Sequence, residues 1–523
     1  MPRSSHSKRQ LHRWHRAFSP VLAAVCIAIG AAGVVWAAAD ARLIQAVRNK
    51  DVQSVRALLN QRVDANAPQG DGSTALHWAA HVDDVAIADL LLRAGARANV
   101  ANDEGATPLH LACTNRSAPM VERLLTAGAD ANAATLSGET VLMTSARAGE
   151  AKAVKALLVH GARVNASESA HDQTPLMWAA AQGHADVVRL LLETGADIRA
   201  RSRTYPQTVV GEQTQRAGRE ELNYTVLRGG STPLLFTARN GDVESARVLL
   251  AAGADPNDAL PDGTSALVLA AHSGQGSVAA LLLDKGADPN AFGTGYSALH
   301  AAILRSDVNL VKALLAHGAN PNIRMTKGTP IRRDTTDFNL PATLIGSTPY
   351  LLAARFLEPD IMQALAAGGA DTKLTMQNGA TALMLAAGMG SGQNASRRGI
   401  AVIDFGKVEP ESRVLETVTA AVALGADVNA SNQAGDTALH TAASQGYDSV
   451  IQFLAAHNAD VNLKNKRGQT PLAALLGGGG RGGRGRAAAA VDANGADLTG
   501  IEAPTESAHP STAALLRKLG ATP

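Results

Sequence analysis

Short apolar stretches alternate with polar turns at a constant interval along most of the chain. The leucines that open the first stretch of each unit recur at intervals of 33, 33 and 34 residues from Leu76 through Leu109 and Leu142 to Leu176. The same register returns farther along at Leu234, Leu267, Leu299, Tyr350, Leu383, Leu439 and Leu472. Self-similarity at a period of this length is typical of a repeat protein, in which each unit is one supersecondary element.

Each unit predicts two short helices. The first begins at Thr or Ser, often followed by Pro as in Thr174-Pro175, because Thr caps a helix and Pro fits its first turn. The second carries a Leu pair such as Leu249-Leu250, and a Gly such as Gly253 ends it in the left-handed conformation. Aromatic residues are 3% of the chain against 46% hydrophobic residues, which favours closely stacked helices over a β-sandwich or barrel.

The opening phrase of the units identifies a family. Eleven units in one register carry variants of Thr-Pro-Leu-His-x-Ala, for example Thr107-Pro108-Leu109-His110 and Thr74-Ala75-Leu76-His77. Over about residues 40–475 the chain therefore resembles the ankyrin-repeat family. The resemblance implies an all-α repeat solenoid: an ankyrin array of helix–turn–helix units with β-hairpin fingers, about eleven to twelve repeats with long insertions. It also implies that the chain binds proteins.

Departures from the period divide the chain into segments. Because long loops cost little free energy, the alternative for every insertion is a surface loop without a function. In chain order the predicted segments are 1–39, a signal peptide or uncleaved N-terminal anchor; 40–72, a degenerate N-terminal capping repeat; 73–197, ankyrin repeats; 198–230, a finger insertion; 231–328, ankyrin repeats; 329–346, a second finger insertion; 347–476, ankyrin repeats with an insertion at 388–411; 477–510, a Gly/Arg/Ala-rich low-complexity segment; and 511–523, a C-terminal capping helix.

The first segment predicts export. A basic stretch without acidic residues precedes an apolar run at 21–39, which ends in three alanines before Asp40. This order is that of a secretory signal, so we expect cleavage between Ala39 and Asp40 and a periplasmic or secreted protein. The run is also about long enough to span a bilayer, and the alternative is an inner-membrane anchor that leaves the repeats outside the cytoplasm. Contact with a membrane is expected only in that case.

Charge and cysteine content limit the partners. The chain has 48 basic and 46 acidic residues, and loss of the five basic residues before residue 40 leaves 43 basic residues against 46 acidic ones. A mature protein with this balance is not a general polyanion binder, so we expect no nucleic-acid partner. Cys113 would be the one cysteine left, which precludes an intramolecular disulfide.

The sequence predicts a chain that is not an enzyme. It shows no nucleophile with its base, no metal-ligand cluster and no phosphate-binding glycine loop, so we expect no cofactor and no metal. The recurring histidines match the family's structural histidine. The next position in the repeat holds Trp78, Trp178 and Phe236, where other repeats have Leu, and these side chains are expected in the core. The predicted function is a non-catalytic protein-binding scaffold outside the cytoplasm. Alternatives are an accessory subunit that escorts or protects an exported enzyme, a secreted effector or inhibitor and, less favoured, an enzyme with a site in the insertions.

Two sets of residues are candidates for the binding surface. By family geometry the side chain after the Ala-Ala pair of the first helix faces the concave inner face, and this position or the next holds Arg147, Arg239, Arg305, Arg355 and Phe356. The finger insertions contribute Arg201, Arg203, Tyr205, Tyr224, Arg332, Arg333 and Phe338. Arg and Tyr are enriched at interface hot spots, so we expect a partner protein with an acidic surface. The alternative is an ordinary solvated polar face.

Overall fold

The computed structural model describes residues 41–210, 223–329, 338–389, 410–477 and 509–523. The predicted cleavage site at Ala39 and Asp40 lies outside the described residues, as do Arg332 and Arg333 of the second finger insertion. Most of the insertion at 388–411 and of the low-complexity segment also lies outside them. No helix within the described ranges is both long enough and apolar enough to cross a membrane.

The chain forms two compact units, residues 1–169 and 170–523. In the described part of the first unit, a helix at 41–48 (α1) and its neighbour α2 precede three helix pairs. The first helices of these pairs pack side by side, and so do the second helices, which gives two layers. The helices are α2 Val52–Asn60, α3 Ala75–His81, α4 Val85–Arg93, α5 Pro108–Thr114, α6 Ala118–Thr126, α7 Val141–Ala148 and α8 Ala151–Val159.

The second unit stacks eight helix pairs in the same two layers, counted over the described residues. The first helices of its pairs are α9 Pro175–Gln182, α11 Pro233–Asn240, α13 Ala266–Ser273, α15 Ala298–Leu304, α17 Pro349–Arg355, α19 Ala382–Ala386, α21 Ala438–Gln445 and α23 Pro471–Gly477. The second helices are α10 Ala185–Glu193, α12 Val243–Ala251, α14 Gly276–Asp284, α16 Val308–Ala316, α18 Pro359–Ala367, α20 Glu411–Ala423, α22 Asp448–Ala456 and α24 Pro510–Lys518. A short 3-10 helix spans Ala342–Leu344.

The helix boundaries have local causes in each repeat. Thr174 caps α9, since its hydroxyl oxygen accepts a hydrogen bond from the Met177 amide, and Pro175 occupies the first turn. The second helices end at a residue with positive φ, such as Gly253 at +95°. A β-carbon at Gly253 would meet no atom within 4 Å. Glycine is therefore favoured there by the backbone conformation alone and not by crowding.

An asparagine joins the finger of one repeat to the end of the next second helix. Asn99 donates from Nδ2 to the carbonyl oxygen of Gly128 at 2.8 Å, and its Oδ1 accepts from the Asp130 amide at 2.7 Å. Asn462 makes the same two bonds, to the carbonyl of Gly520 at 3.1 Å and from the amide of Thr522 at 2.7 Å. Helix α24 thus takes the place of the second helix of the last repeat, after α23. The segment between α23 and α24 is an insertion within that repeat.

The core consists mainly of leucine, alanine and valine from both helix layers, for example Leu176 and Leu191 in the second unit, which are fully buried. The described residues also include one two-stranded sheet, formed by β1 Tyr205–Val210 and β2 Asn223–Arg228 in antiparallel register. It lies within the first finger insertion. The expectation of an all-α repeat solenoid built from helix–turn–helix units is confirmed.

Candidate protein-binding surface

The first finger insertion is a β-hairpin with exposed apolar side chains. Tyr205 lies opposite Arg228 at the open end of the hairpin, and Pro206 lies opposite Leu227. Tyr205 is 45% exposed and Leu227 is 50% exposed. Tyr224 belongs to β2, but its side chain lies outside the described part of the chain. The hairpin therefore presents at least two large side chains to solvent on the finger edge of the second unit.

Two arginines that the sequence suggests for partner binding hold the base of this hairpin. Arg201 Nη1 donates to the carbonyl oxygens of Gly230 at 2.9 Å and Ala259 at 3.0 Å, and its Nη2 binds the carboxylate of Asp258. Arg203 forms two hydrogen bonds to the carboxylate of Asp172, at 2.9 and 2.7 Å. These bonds to Arg203 keep the pKa of Asp172 below its ordinary value. Both arginines are about half exposed, so a role in recognition stays a prediction.

The second finger insertion has an arginine in the same position. Arg324 Nη1 donates to the carbonyl oxygens of Gly346 at 2.7 Å and Thr375 at 2.9 Å. Gly346 lies at the end of the insertion, and Thr375 lies in the finger of the next repeat. This pattern matches that of Arg201 with Gly230 and Ala259. The sequence analysis missed this role, although the signal that could have shown it was an arginine near the start of each insertion, Arg201 just inside the first and Arg324 just before the second.

Phe338 of the second finger insertion contacts Arg305 of the predicted basic stripe. The amide of Thr329 donates to the carbonyl of Leu340 at 2.9 Å, and the amide of Leu340 donates to the hydroxyl of Thr329 at 2.8 Å. The ring of Phe338 lies over the guanidinium of Arg305, with 4.0 Å between the ring centroid and Cζ. Arg305 also donates from Nε to the carbonyl of His272 at 2.8 Å. Two residues predicted for one binding surface are therefore in contact with each other.

Exposure along the inner face of the second unit is uneven. At the position that follows the Ala-Ala pair or its equivalent, Arg239 is exposed in the α11 repeat and Ser444 in the α21 repeat. Leu304 in the α15 repeat is 0% exposed at the same position. Arg355 is partly buried, and this burial lowers its pKa from the ordinary value for arginine. Phe356 beside it is also partly buried. The predicted basic stripe is thus exposed at Arg239 and partly buried at Arg305 and Arg355.

A row of large apolar side chains lies on the open part of this face. Trp178 of α9, Phe236 of α11 and Leu269 of α13 occupy one position in three neighbouring repeats, and each keeps part of its side chain exposed. Leu352 and Leu385 occupy the same position in α17 and α19 but are buried. Trp178 and Phe236, which the sequence predicts in the core, are therefore partly buried and keep some exposed surface. They line a surface that an apolar partner group can reach.

The first unit has its own inner-face residues. Arg147 is 42% exposed and forms an ion pair with Glu139 at 2.8 Å. Trp78 is partly buried, and the guanidinium of Arg48 lies 4.5 Å from the centroid of its ring. The edge of His81 also contacts Trp78. Trp78 is thus only partly buried, and it contacts the polar side chains of Arg48 and His81.

The recurring histidines connect adjacent repeats. In α15, His300 Nδ1 accepts from the Ser297 amide at 3.2 Å, so Nε2 carries the proton and donates to the Ser347 carbonyl at 3.4 Å. Burial lowers the pKa of His300 to about 4, against a smaller opposing effect of the bond to Ser347. His77, His110 and His440 make the equivalent bonds, with Nε2 to the carbonyls of Ala106, Glu139 and Gln469.

Other potentially reactive groups lie in the core. Cys113 is fully buried, and this burial raises the pKa of its thiol to about 12, so that the reactive thiolate is scarce at neutral pH. Within the five described ranges, no three His, Cys, Asp or Glu side chains are grouped so that they could hold a metal ion.

Comparison with known families agrees with the architecture. A family model described as ankyrin repeats (3 copies) matches residues 43–135, 115–202 and 234–325. Two further models described as ankyrin repeats (many copies) match residues 176–250 and 422–473.

Similar curated proteins share part of the array. The human Ankyrin repeat and SOCS box protein 16 is 32% identical over 198 residues, which are 35% of this chain and 40% of that protein. Its mouse counterpart is 32% identical over 199 residues. The mouse B-cell lymphoma 3 protein homolog is 28% identical over 190 residues, which are 33% of this chain and 38% of that protein. The chain thus spans about 40% of the length of these relatives. From the family matches and the stacked helix pairs, the chain belongs to the ankyrin-repeat family.

Proposed function

We propose that this chain is a non-catalytic protein-binding scaffold that acts outside the cytoplasm. The observation that carries the proposal is the open inner face of the second unit, where Trp178, Phe236 and Leu269 are partly exposed in a row over three neighbouring repeats. Neighbouring helices pack roughly 10 Å apart, so this row extends over about 20 Å. Solvent-exposed aromatic side chains on a rigid support are typical of the centre of a protein interface.

Charge favours a partner with acidic residues. Arg239 is exposed one turn beyond Phe236 on the same helix, so a partner that contacts Phe236 can place a carboxylate near Arg239. Such an ion pair at the rim of an interface contributes mainly to the rate and specificity of association. Tyr205 and Leu227 on the finger edge of the same unit provide further apolar contacts.

Export rests on the sequence. A basic stretch followed by the apolar run at 21–39 and by three alanines has the order of a secretory signal. The stacked repeats suit an oxidising compartment, because their stability depends on packing between neighbours and not on disulfides. The proposed location is the periplasm or the exterior of the cell.

Site-specific photocrosslinking tests the binding role. The full-length chain carries a photoreactive phenylalanine in place of Phe236 in one variant and in place of Arg247, which is exposed on the outer helix α12, in the other. We expect one discrete covalent adduct from position 236 in the source cells, and none from position 247. Adding Arg239→Glu to the first variant should reduce the adduct, because it reverses the charge that faces the partner.

The possible outcomes separate the parts of the proposal. If neither variant gives an adduct above the background without light, or both give the same adducts, the inner face is not a specific binding surface. Fractionation of the same cells tests location independently, and recovery of the chain only from the cytoplasm would refute export. An adduct with an exported enzyme would support an accessory role, whereas an adduct with a protein of another cell would support an effector.

A further inference from the structure

The β1–β2 hairpin is a sheet of two strands, and the backbone groups of β2 point in two directions. Pro206 of β1 lies opposite Leu227 of β2. Because proline has no N–H, this is a pair without hydrogen bonds between its members, and the N–H and C=O of Leu227 point away from β1. Such pairs alternate along an antiparallel ladder, so the backbone groups of Thr225 also point outward. The outer edge of β2 therefore presents a row of donors and acceptors.

This outer edge of β2 has no partner among the described residues. Apart from the pairing with β1, no hydrogen bond within the described ranges joins the backbone of Thr225 or Leu227 to another backbone group. Thr225 is exposed, and Leu227 is 50% exposed. The next finger meets the hairpin at its base, at Gly230, where a β-carbon would lie 2.6 Å from Cγ of Pro261. Unpaired edge groups of this kind are a template for another strand.

The outer edge of β1 is a poorer template. Pro206 offers no donor on that side, and proline at an edge is a common means of preventing strand addition. Just before β1, the amide of Arg203 donates to the carbonyl of His171 in the preceding finger at 2.6 Å, so this side of the chain already has a neighbour. The hairpin thus has one complete edge, which belongs to β2.

The base of the hairpin holds this edge in place. Arg201 binds the carbonyls of Gly230 and Ala259 and the carboxylate of Asp258. A β-carbon at Gly229, where φ is +80°, would collide with the carbonyl oxygen of Arg203, so glycine is required where β2 ends. An edge that is fixed before association loses less conformational entropy when another strand pairs with it.

We propose that a second copy of the chain pairs with this edge, β2 against β2 in antiparallel orientation. A two-fold axis at Val226 places Thr225 of each copy opposite Leu227 of the other, so that their outward N–H and C=O groups bond across the interface. Arg228 is the charged residue of β2. In this register it lies opposite Tyr224 of the second copy and not opposite a like charge.

The number of complete edges limits the assembly to a dimer. Because β1 is blocked at Pro206, the two hairpins form one closed pair and do not continue into a fibre. Pairing also gives each two-stranded hairpin, which is marginal by itself in water, a third neighbouring strand. The paired segment is short, so the interface is smaller than the roughly 1,200 Å² of a stable complex, and we expect a dissociation constant on the order of micromolar or weaker.

Disulfide formation at the two-fold axis tests the pairing in the full-length chain. Cys26→Ser removes one native thiol, and Cys113 is buried and unreactive. One variant then carries Val226→Cys, and the control carries Thr208→Cys on the exposed side of β1. In the proposed dimer the two residues 226 face each other with Cα atoms about 4.5 Å apart, which a disulfide can bridge. Both variants are oxidised mildly at the same chain concentration, and covalent dimers are separated by non-reducing electrophoresis.

We expect position 226 to form the covalent dimer at least about 10-fold faster than position 208, because pairing raises the effective concentration of the two thiols. Thr225→Pro should remove this advantage, since it deletes an outward donor and leaves the pairing with β1 intact. Thr208→Pro, the same change on the other edge, should leave it unchanged. Hydrogen exchange of the β1 amides checks that the hairpin stays folded. If Thr225→Pro opens the hairpin, Leu227→Asp replaces it, because it keeps every donor but brings carboxylates of the two copies close together.

Three results would overturn the β2 pairing. In the first, positions 226 and 208 form dimers at the same rate. In the second, the dimer persists in Thr225→Pro while the hairpin remains folded. In the third, position 226 forms its disulfide in the source cells with a different protein, which would make the edge a site for that protein and not for a second copy. The pairing uses none of the inner-face row, so a dimer without a photocrosslinked partner at position 236 would support the pairing and refute the proposed function.

Discussion

The buried histidine of α15 predicts a specific loss of stability in acid. His300 is neutral in the folded chain, because Nδ1 accepts a backbone hydrogen bond and burial lowers its pKa to about 4. An unfolded histidine has a pKa of about 6.5. A group whose pKa is lowered by folding contributes stability that is fully present above the unfolded pKa. That contribution is lost as the pH falls toward the folded pKa.

The perturbation is His300→Met. Methionine occupies the equivalent position in three other repeats, at Met143, Met177 and Met384, so the repeat accepts it. At neutral pH the variant loses the bonds of His300 to Ser297 and Ser347, and we expect a cost of about 1–2 kcal/mol. At about pH 4.5 the wild-type chain has lost roughly 2–3 kcal/mol through protonation of His300, and methionine loses nothing by this route.

The assay is hydrogen exchange of peptides covering α15 and α16, in which both proteins are compared at the same pH. A local measurement is needed because a repeat array does not unfold in one step. The wild-type repeat should be the more stable one at about pH 7.5 and the less stable one at about pH 4.5. The other histidines are common to both proteins and cancel in the difference. If the difference in stability stays constant over this range, His300 is not a buried neutral imidazole and the reasoning fails.

Three further changes test local features of the repeats. Arg62 is exposed at a φ of +61°, so Arg62→Gly should raise the free energy of unfolding of the N-terminal repeat by roughly 0.5–1 kcal/mol in urea titrations. Tyr350 is buried, and its hydroxyl has no hydrogen-bond partner among the described residues. Tyr350→Phe should therefore leave the stability to urea unchanged or raise it by up to about 1 kcal/mol. Arg201→Ala should accelerate hydrogen exchange in the β1–β2 hairpin by roughly 5- to 30-fold, equivalent to about 1–2 kcal/mol, since it removes three anchoring contacts.

Two of these changes have a matched control variant in the chain. Gly253→Ala places a side chain at a φ of +95° and should destabilise by about 1 kcal/mol, the opposite of Arg62→Gly. A stabilising Gly253→Ala would refute the backbone argument. A clear loss of stability in Tyr350→Phe would mean that the hydroxyl has a partner. Arg203→Ala should affect the hairpin less than Arg201→Ala, because Asp172 is much more exposed than Asp258. The reverse order would contradict the anchoring role of Arg201.

The repeat architecture could be predicted from the sequence because its determinants are local and recur. The Thr cap, the apolar face and the terminal Gly of each unit act within about thirty residues, and they place the helix pairs in register. The last repeat was harder to predict, since its two helices are separated by the low-complexity segment. The Gly520-Ala521 pair repeats the end of a second helix, yet only the bonds from Asn462 show that α24 completes the pair with α23.

The binding surface was less predictable because exposure depends on chain that is distant in sequence. Arg239 and Leu304 occupy equivalent positions that family geometry places on the inner face, yet Arg239 is exposed and Leu304 is fully buried. The charge of Arg201 suits an acidic partner, but the fold pairs Arg201 with Asp258, which lies 57 residues away in the sequence. The sequence predicts Trp178 in the core because other repeats have Leu at its position, whereas the structure leaves part of Trp178 exposed.

The repeats stay coupled across the second finger insertion. Asn322 donates to the carbonyl of Gly369 at 3.3 Å and accepts from the amide of Asp371 at 2.8 Å, the bonds that Asn99 makes to Gly128 and Asp130 without an insertion. The additional residues therefore leave the interface between neighbouring repeats unchanged, and in a repeat array that interface determines stability. Mutations within the insertion are therefore expected to leave the folding of the neighbouring repeats largely unchanged.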